Sequence, residues 1–320
     1  MDQRKIAVIT GANSGIGQAA ALRFATEGVR VVMACRDKQR SEAVRQELAA
    51  RSGNPGIDLI PLDVSSFESI HTFCKAFTET YPRLDILVHN AAYLNHGEKT
   101  YRLSPEGVEL SYATNAFGPT YMSHLLADSL AKSDDPRVLN ACTTNIKNFF
   151  DPKRKIEFDN LRGEFKDRRP YSSYKMYGDS KMALFMLTIR LAEEWKERGI
   201  KVNALQINRV RLSDATIRKM NGIWRILARA QNWINPPPEG MAGNYYRICT
   251  SDEFRRDTGQ LINHRLERMR PAASEQGLEQ IRNIFGSATY PKYATESVNA
   301  NQVWQMYQDL REGKSFRKIP

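Results

Sequence analysis

Near the middle of the chain five residues read Tyr177-Gly-Asp-Ser-Lys181. A tyrosine and a lysine four apart share one face of a helix. A phenol with an ordinary pKa near ~10 is a poor acid–base group at neutral pH, but an adjacent ammonium favours the phenolate. The pair is therefore a candidate proton donor for reducing a carbonyl, or a base for oxidising an alcohol. Taken alone, Tyr-x3-Lys is common and mostly structural. Its meaning depends on what else the chain places beside it.

A redox role needs a hydride carrier, and the stretch Ile6 to Gly17 has the form of a dinucleotide loop. An apolar strand runs into Gly11, Gly15 and Gly17 and then into the helical pattern Gln18–Glu27. Gly11 allows the tight turn, Gly15 lets backbone approach a pyrophosphate, and Gly17 lets the helix pack on the strand. Asn13, Ser14 and Ile16 complete the loop. The helix behind it offers unpaired N–H groups and a positive dipole end to a phosphate. Glycine-rich strand–helix turns also occur without a ligand, so the loop needs support from elsewhere.

That support comes at the ends of the next strands. A cofactor without a 2′-phosphate favours a carboxylate at the end of the second strand. Cys35 stands there instead, and Arg36, with Arg40 one turn on, offers guanidinium groups to a 2′-phosphate. These residues predict NADPH/NADP+ as cofactor, with Asp37 read as the N-cap of the following helix. Asp63-Val64, at the end of the third strand, suits an adenine amino group or a helix cap equally. Asn90-Ala91-Ala92 are small enough to let a cofactor pass close to backbone. Asn115 falls inside a long helical pattern, where asparagine is disfavoured and tends to bond to backbone; a local distortion is the plain reading.

The elements that must position these residues alternate. Strand patterns at Lys5–Thr10, Val29–Ala34, Ile57–Leu62, Leu84–His89, Arg137–Ala141 and Lys201–Ile207 are separated by helical ones at Lys38–Arg51, Ser66–Thr80, Ser104–Leu130 and Ser173–Arg198. Apolar runs spaced by helices indicate parallel strands covered on both faces. The fold class is α/β, a Rossmann-type doubly wound parallel sheet with helices on both faces. We divide the chain into one domain over 1–270 and a C-terminal helical extension over 271–320, expected to pack on it.

Composition sets the outer limits. At 320 residues and 41% hydrophobic, the chain is long enough for one extended domain with a sizeable core. The N-terminus passes directly into a strand, with no secretory signal, and no apolar run approaches the ~20 residues of a membrane span. The four cysteines are scattered and none of the five histidines has ligand spacing with another, so no metal is assigned. The formal charge of +11 gathers at Lys153–Lys155, Lys166–Arg169, Arg265–Arg270 and Arg311–Lys318. These clusters lack interleaved aromatic residues and read as solvated faces, so nucleic acid is not expected as a partner.

In their order and spacing, Thr10-Gly-Ala-Asn-Ser-Gly-Ile-Gly17, Asp63-Val64, Asn90-Ala91-Ala92, Asn115 and Tyr177-x3-Lys181 resemble the short-chain dehydrogenase/reductase family. The resemblance covers Lys5–Ile207. It implies Tyr177 as the acid–base residue and Lys181 as the group that lowers its pKa and holds the nicotinamide ribose. It implies Asn115 as the residue that positions a proton-relay water. Within the family the chain is similar to retinol dehydrogenases and light-dependent protochlorophyllide reductases. The segments that carry this are Val32-Met-Ala-Cys-Arg-Asp37, Glu106–Ser111 with Thr114-Asn115, the long stretch between Thr143 and Tyr177, Pro238–Gly243, Thr258-Gly-Gln260 and the last helix around Trp304. Both groups handle large apolar substrates and generally use NADPH.

There are departures. The family's catalytic serine aligns with Thr143, whose hydroxyl is able to hydrogen-bond a substrate oxygen. Its Pro-Gly after the sixth strand is replaced by Ile207-Asn208, with Arg209 and Arg211 as candidate phosphate contacts. The cysteine that protochlorophyllide reductases carry in this loop is absent, which argues against a photochemical reaction. The family's substrate lid falls at about 208–240. Ile217, Met220, Trp224 and Leu227 have helical spacing there, and Met220 and Trp224 are expected to line the substrate pocket.

The expected function is an NADPH-dependent oxidoreductase acting on a carbonyl, or the matching alcohol, of a bulky hydrophobic small molecule. Two alternatives stand beside it: reduction of a carbon–carbon double bond, and a non-catalytic NADPH-binding regulator. The altered Pro-Gly loop and the missing serine motivate the regulator, whereas retention of Tyr177, Lys181 and Asn115 favours catalysis. The expected location is cytoplasmic. Because a basic amphipathic helix is able to lie on an anionic membrane, peripheral membrane contact through 217–230 stays open, as does a homo-oligomer.

Overall fold

The computed structural model describes residues 4–95, 97–162, 170–218, 220 and 222–314, without the side chains at 214 and 215. Seven short runs form strands: β1 Ile6–Thr10, β2 Arg30–Cys35, β3 Ile57–Pro61, β4 Ile86–His89, β5 Arg137–Thr143, β6 Lys201–Ile207 and β7 Leu261–Ile262. All pair in parallel, in the order β3-β2-β1-β4-β5-β6-β7. Every residue of β1 and β5 is buried, as a sheet covered on both faces requires.

The covering helices are α1 Gly15–Thr26, α2 Lys38–Ser52, α3 Phe67–Thr80, α4 Leu110–Tyr112, α5 Gly118–Leu125, α6 Ala127–Leu130 and α7 Ser173–Glu194. They continue with α8 Asp214–Arg218, α9 Gly222–Asn232, α10 Glu239–Thr250, α11 Gly277–Phe285 and α12 Ser297–Arg311. Alternate strand residues feed two cores. Ile9, Met33 and Val88 pack with Phe24 of α1 and Tyr245 of α10. Val8, Val32 and Leu87 pack with Phe73 of α3 and Phe185 of α7. This is the expected doubly wound sheet. The strand order turns around between β1 and β4, and the crevice at their carboxyl ends is where such a sheet binds ligands.

The expected helix over Ser104–Leu130 is broken. Helical turns begin only after Glu109, whose buried carboxylate accepts from the backbone N–H of Ser111 at 2.9 Å and of Tyr112 at 3.3 Å. Residues Ala113–Phe117 then form a π turn. Pro119 has no N–H to offer the carbonyl of Asn115 four residues earlier, so the ordinary helical bond cannot form there. Close packing fixes the same place: a Cβ on Gly118 would lie 2.0 Å from the Val64 carbonyl oxygen.

The C-terminal segment is stitched to the body. Strands β8 Arg270–Pro271 and β9 Thr289–Tyr290 pair with each other across the division drawn at 270/271. In α12, Tyr307 meets His124 Nδ1 at 2.9 Å, and the Arg190 guanidinium of α7 lies 5.4 Å from the Trp304 ring centre. The basic residues Lys166, Arg168 and Arg169, and Arg317 and Lys318, lie outside the described residues.

Candidate active site

β1 delivers the glycine loop to the crevice. Gly11 takes φ +65°, a conformation that disfavours a side chain, and its N–H donates to Ala34 O at 2.8 Å. A Cβ on Gly17 would lie 2.3 Å from Gly11 O and 2.4 Å from Asn90 Nδ2. Gly15 is the opposite case, since a Cβ there would meet nothing within 4 Å. The N-cap Ser14 makes no side-chain capping bond, so its hydroxyl and the first N–H groups of α1 suit a phosphate. Ile16 packs against the core beneath the loop. Asn13 Nδ2 donates to Ser41 Oγ at 2.8 Å and braces the loop against α2.

Asn90 does more than stay small. Its backbone N–H and that of Ala91 donate to Thr10 Oγ1 at 3.0 and 2.9 Å. Its side-chain Nδ2 donates to Thr10 O at 3.0 Å, and its Oδ1 accepts from the Tyr245 hydroxyl at 3.2 Å. Thr10 and Tyr245 therefore belong to the loop's support, although sequence reading did not place them in the site. Thr10 sat inside the quoted motif; Tyr245 gave no local signal, being 155 residues away in the chain.

The arginines flank the outer end of the crevice. The Cys35 thiol is buried beside the backbone of Ala12 and Asn13 and the Ser41 hydroxyl, and burial pushes its pKa up. Arg36, 72% exposed, lies 3.7 Å from Asp63 Oδ2. Asp37 caps α2 as expected, accepting from Arg40 N at 3.0 Å, and Arg40 is exposed one turn along. Asp63 does not cap α3; Ser66 does, accepting from Ser69 N at 3.3 Å. The Asp63 Oδ1 instead accepts from Ser65 N and Oγ at 3.0 and 2.6 Å. Val64 is buried against Gly118.

α7 carries the reactive pair. Its N-cap Ser172 accepts from Lys175 N at 3.3 Å, and its second turn is pinned by buried Asp179, which accepts from Arg154 at 2.6 Å and Lys175 at 2.8 Å. This lays Tyr177 and Lys181 against the carboxyl end of β5. The Tyr177 phenol lies beside the Thr143 hydroxyl, which favours its ionised form. Lys181 Nζ donates to Ala141 O at 2.6 Å and lies 6.0 Å from the Tyr177 ring centre. Burial dominates both groups. It pulls Lys181 down to about 8 and pushes Tyr177 up to about 12, with the Thr143 hydroxyl opposing the rise.

The π turn aims Asn115 at the same place. Its Oδ1 accepts from Tyr93 N at 2.7 Å, and its Nδ2 donates to Tyr93 O and Ser180 Oγ, both at 3.0 Å. Ser180 Oγ donates in turn to the Tyr177 carbonyl at 2.8 Å. Ser180, another residue that sequence reading missed, thus ties the π turn to the helix that holds the phenol. Its signal was present inside Tyr177–Lys181 but has meaning only once Asn115 faces it.

The lid residues separate. Met220 is buried with Ile217, Ala228 and Leu212 in a small core of the lid's own. Trp224 is 47% exposed and stands beside Gly97, where an added Cβ would lie 3.4 Å from its ring. In the loop that replaces Pro-Gly, Asn208 Oδ1 accepts from Arg209 N at 2.8 Å. The Arg211 guanidinium donates to Asn232 O at 3.2 Å and so holds the far end of the lid. Ile223 and Ile226 of α9 are 66% and 69% exposed, and Trp233 just beyond it 90%. Among the described residues no helix is long and apolar enough to cross a membrane.

The sheet order and the glycine loop at its switch point define a doubly wound, dinucleotide-binding class of fold. Comparison with known proteins narrows this. A family model for short chain dehydrogenases matches residues 5–150. Retinol dehydrogenase 11 of Mus musculus is 30% identical over 248 residues, covering 77% of this chain and 73% of that protein. Dehydrogenase/reductase SDR family member 13 of Bos taurus is 33% identical over 230 residues, covering 72% of this chain. The chain spans 58% of the length of that second relative. A short chain dehydrogenase from Shigella flexneri, solved in complex with NADP, superposes with a TM-score of 0.62 at 21% identity, over 82% of this chain and 97% of its own. The chain belongs to the short-chain dehydrogenase family, and within it to the retinol dehydrogenase-like group.

Proposed function

We propose that the protein is an NADPH-dependent reductase of a carbonyl on a bulky apolar molecule. The observation that carries this reading is the junction of Tyr177, Thr143 and Lys181 at the end of β5, two strands along the sheet from β1, which carries the glycine loop. The cofactor, when bound, supplies hydride. Tyr177 donates the proton to the carbonyl oxygen, and the Thr143 hydroxyl orients that oxygen. A phenol pushed up to about 12 is protonated at neutral pH, which suits the reductive direction. Lys181 and the Asn115–Ser180 bond hold the helix and the strand end in register. The NADP of the Shigella flexneri relative supports the choice of cofactor.

Arg36 tests that choice. If it grips a 2′-phosphate, Arg36→Ala weakens NADPH binding by about 10- to 100-fold, the worth of charge-assisted hydrogen bonds, and leaves NADH binding unchanged. Fluorescence titration with both cofactors reads this directly. An equal effect on NADH and NADPH would remove Arg36 from the phosphate site.

The exposed apolar side of α9 gives the lid a second task. Arg225 and Arg229 lie among Ile223, Ile226 and Leu227 with no acidic residue in the helix, a pattern that docks on anionic lipid. The protein is expected to sediment with phosphatidylserine-containing vesicles and to lose this in an Ile226→Ser, Trp233→Ser double variant. Equal recovery of both proteins in the supernatant sinks the idea.

A further inference from the structure

Beyond Thr143, at the carboxyl ends of β5 and β6, lies a cavity of about 460 Å3. Its lining includes Thr144, Lys147, Gln206, Asn208, His264 and Arg265. Thr144 and Asn208 follow directly on Thr143 and Ile207, the last residues of their strands, so the cavity shares a wall with the reacting end of the crevice. The wall offers donors and positive charge, and among the described residues no Asp or Glu lines it.

Two of its groups are polar atoms buried without partners. Gln206 is 1% exposed, and its amide nitrogen has no hydrogen-bond partner among the described residues. The same holds for His264 Nδ1. A buried amide N–H left unpaired is costly, and native proteins place such groups where an acceptor arrives. Lys147 gives one of its three ammonium hydrogens to Gly286 O. Burial lowers the Lys147 pKa, a cost that a bound anion would offset. Burial, Arg265 and Lys147 lower the His264 pKa against the weaker pull of Glu267 and so favour the neutral ring.

We propose that this cavity is a carboxylate subsite of the substrate site. Lys147, Arg265 and the Gln206 amide hold the acid end of an apolar carbonyl compound whose oxygen lies by Thr143 and Tyr177. The inference rests on the reductase reading and narrows its substrate class to bulky apolar keto or aldehyde acids.

The test compares a keto fatty acid with its methyl ester on the NADP+-saturated protein, by calorimetric binding and by turnover. The acid is expected to bind about tenfold more tightly, as charge-assisted hydrogen bonds imply. That ratio collapses in Lys147→Met and returns in Lys147→Arg; Gln206→Leu lowers it independently. Equal affinity for acid and ester, or a ratio indifferent to Lys147→Met, overturns the subsite. A fatty acid without a carbonyl that binds and does not compete with the ester overturns its place in the substrate site. Turnover of both compounds with no acid preference defeats the subsite alone, whereas the expected ratio without turnover of either defeats the reductase reading alone.

Discussion

Tyr177→Phe is expected to lower kcat/KM for NADPH-dependent reduction of an apolar ketone by about 10²- to 10⁴-fold, the usual contribution of a positioned proton donor. NADPH affinity should stay near that of the wild type. The substitution removes one oxygen and keeps the ring, so α7 and its packing are preserved. The Thr143 hydroxyl still accepts from Asn145 N at 3.3 Å and so stays in place. Steady-state turnover paired with NADPH fluorescence titration separates the two effects. Retained turnover would remove Tyr177 from the chemistry. Loss of NADPH binding in parallel with turnover would instead assign the ring to cofactor binding. The regulator alternative predicts a third pattern, tight NADPH binding with no turnover in either protein.

The second large effect is expected at Gly17. A Cβ there would sit 2.3 Å from the Gly11 carbonyl oxygen and 2.4 Å from Asn90 Nδ2. The first of these is backbone and has no rotamer through which to yield. Gly17→Ala must therefore push α1 away from β1 or unseat Asn90 from Thr10. Overpacking of this kind costs about 1–3 kcal/mol, or more where backbone has to move. The variant is expected to unfold at lower temperature and to bind NADPH at least tenfold more weakly, a loss of about 1.4 kcal/mol or more. Gly15→Ala is the control. Its side chain meets nothing within 4 Å, and the strain comes only from φ +55°, about 1–2 kcal/mol. A Gly17→Ala protein as stable as Gly15→Ala would contradict the packing described here.

The strand and helix ledger was legible because its signals are local. β6 lies at Lys201–Ile207 as expected, and β1 to β4 within two residues of their expected bounds, since buried parallel strands announce themselves as short apolar runs. Over Ser104–Leu130 the distortion expected at Asn115 is present as the π turn, but the late start after Glu109 and the break after Leu125 were not foreseen. The apolar periodicity of this stretch persists through the π turn, while the late start and the distortion come from Glu109, Gly118 and Pro119, whose effects depend on what lies opposite them. Asp63 shows the same limit from the other side: two roles fitted the residue, and the rival cap, Ser66, took one of them.

By itself the sequence determined the doubly wound sheet, the glycine loop and the Tyr177–Lys181 face, because strand period, turn chemistry and i, i+4 spacing are properties of a few adjacent residues. Only the tertiary structure decided what these parts touch. Folding brought Thr10 to Asn90, Tyr245 to the same asparagine, and Asn115 to Ser180 across 65 residues. It also turned Lys181 onto Ala141 rather than onto the phenol beside it. A side chain's nearest partner in a packed interior is set by burial and by the elements laid against it, and no local pattern encodes that.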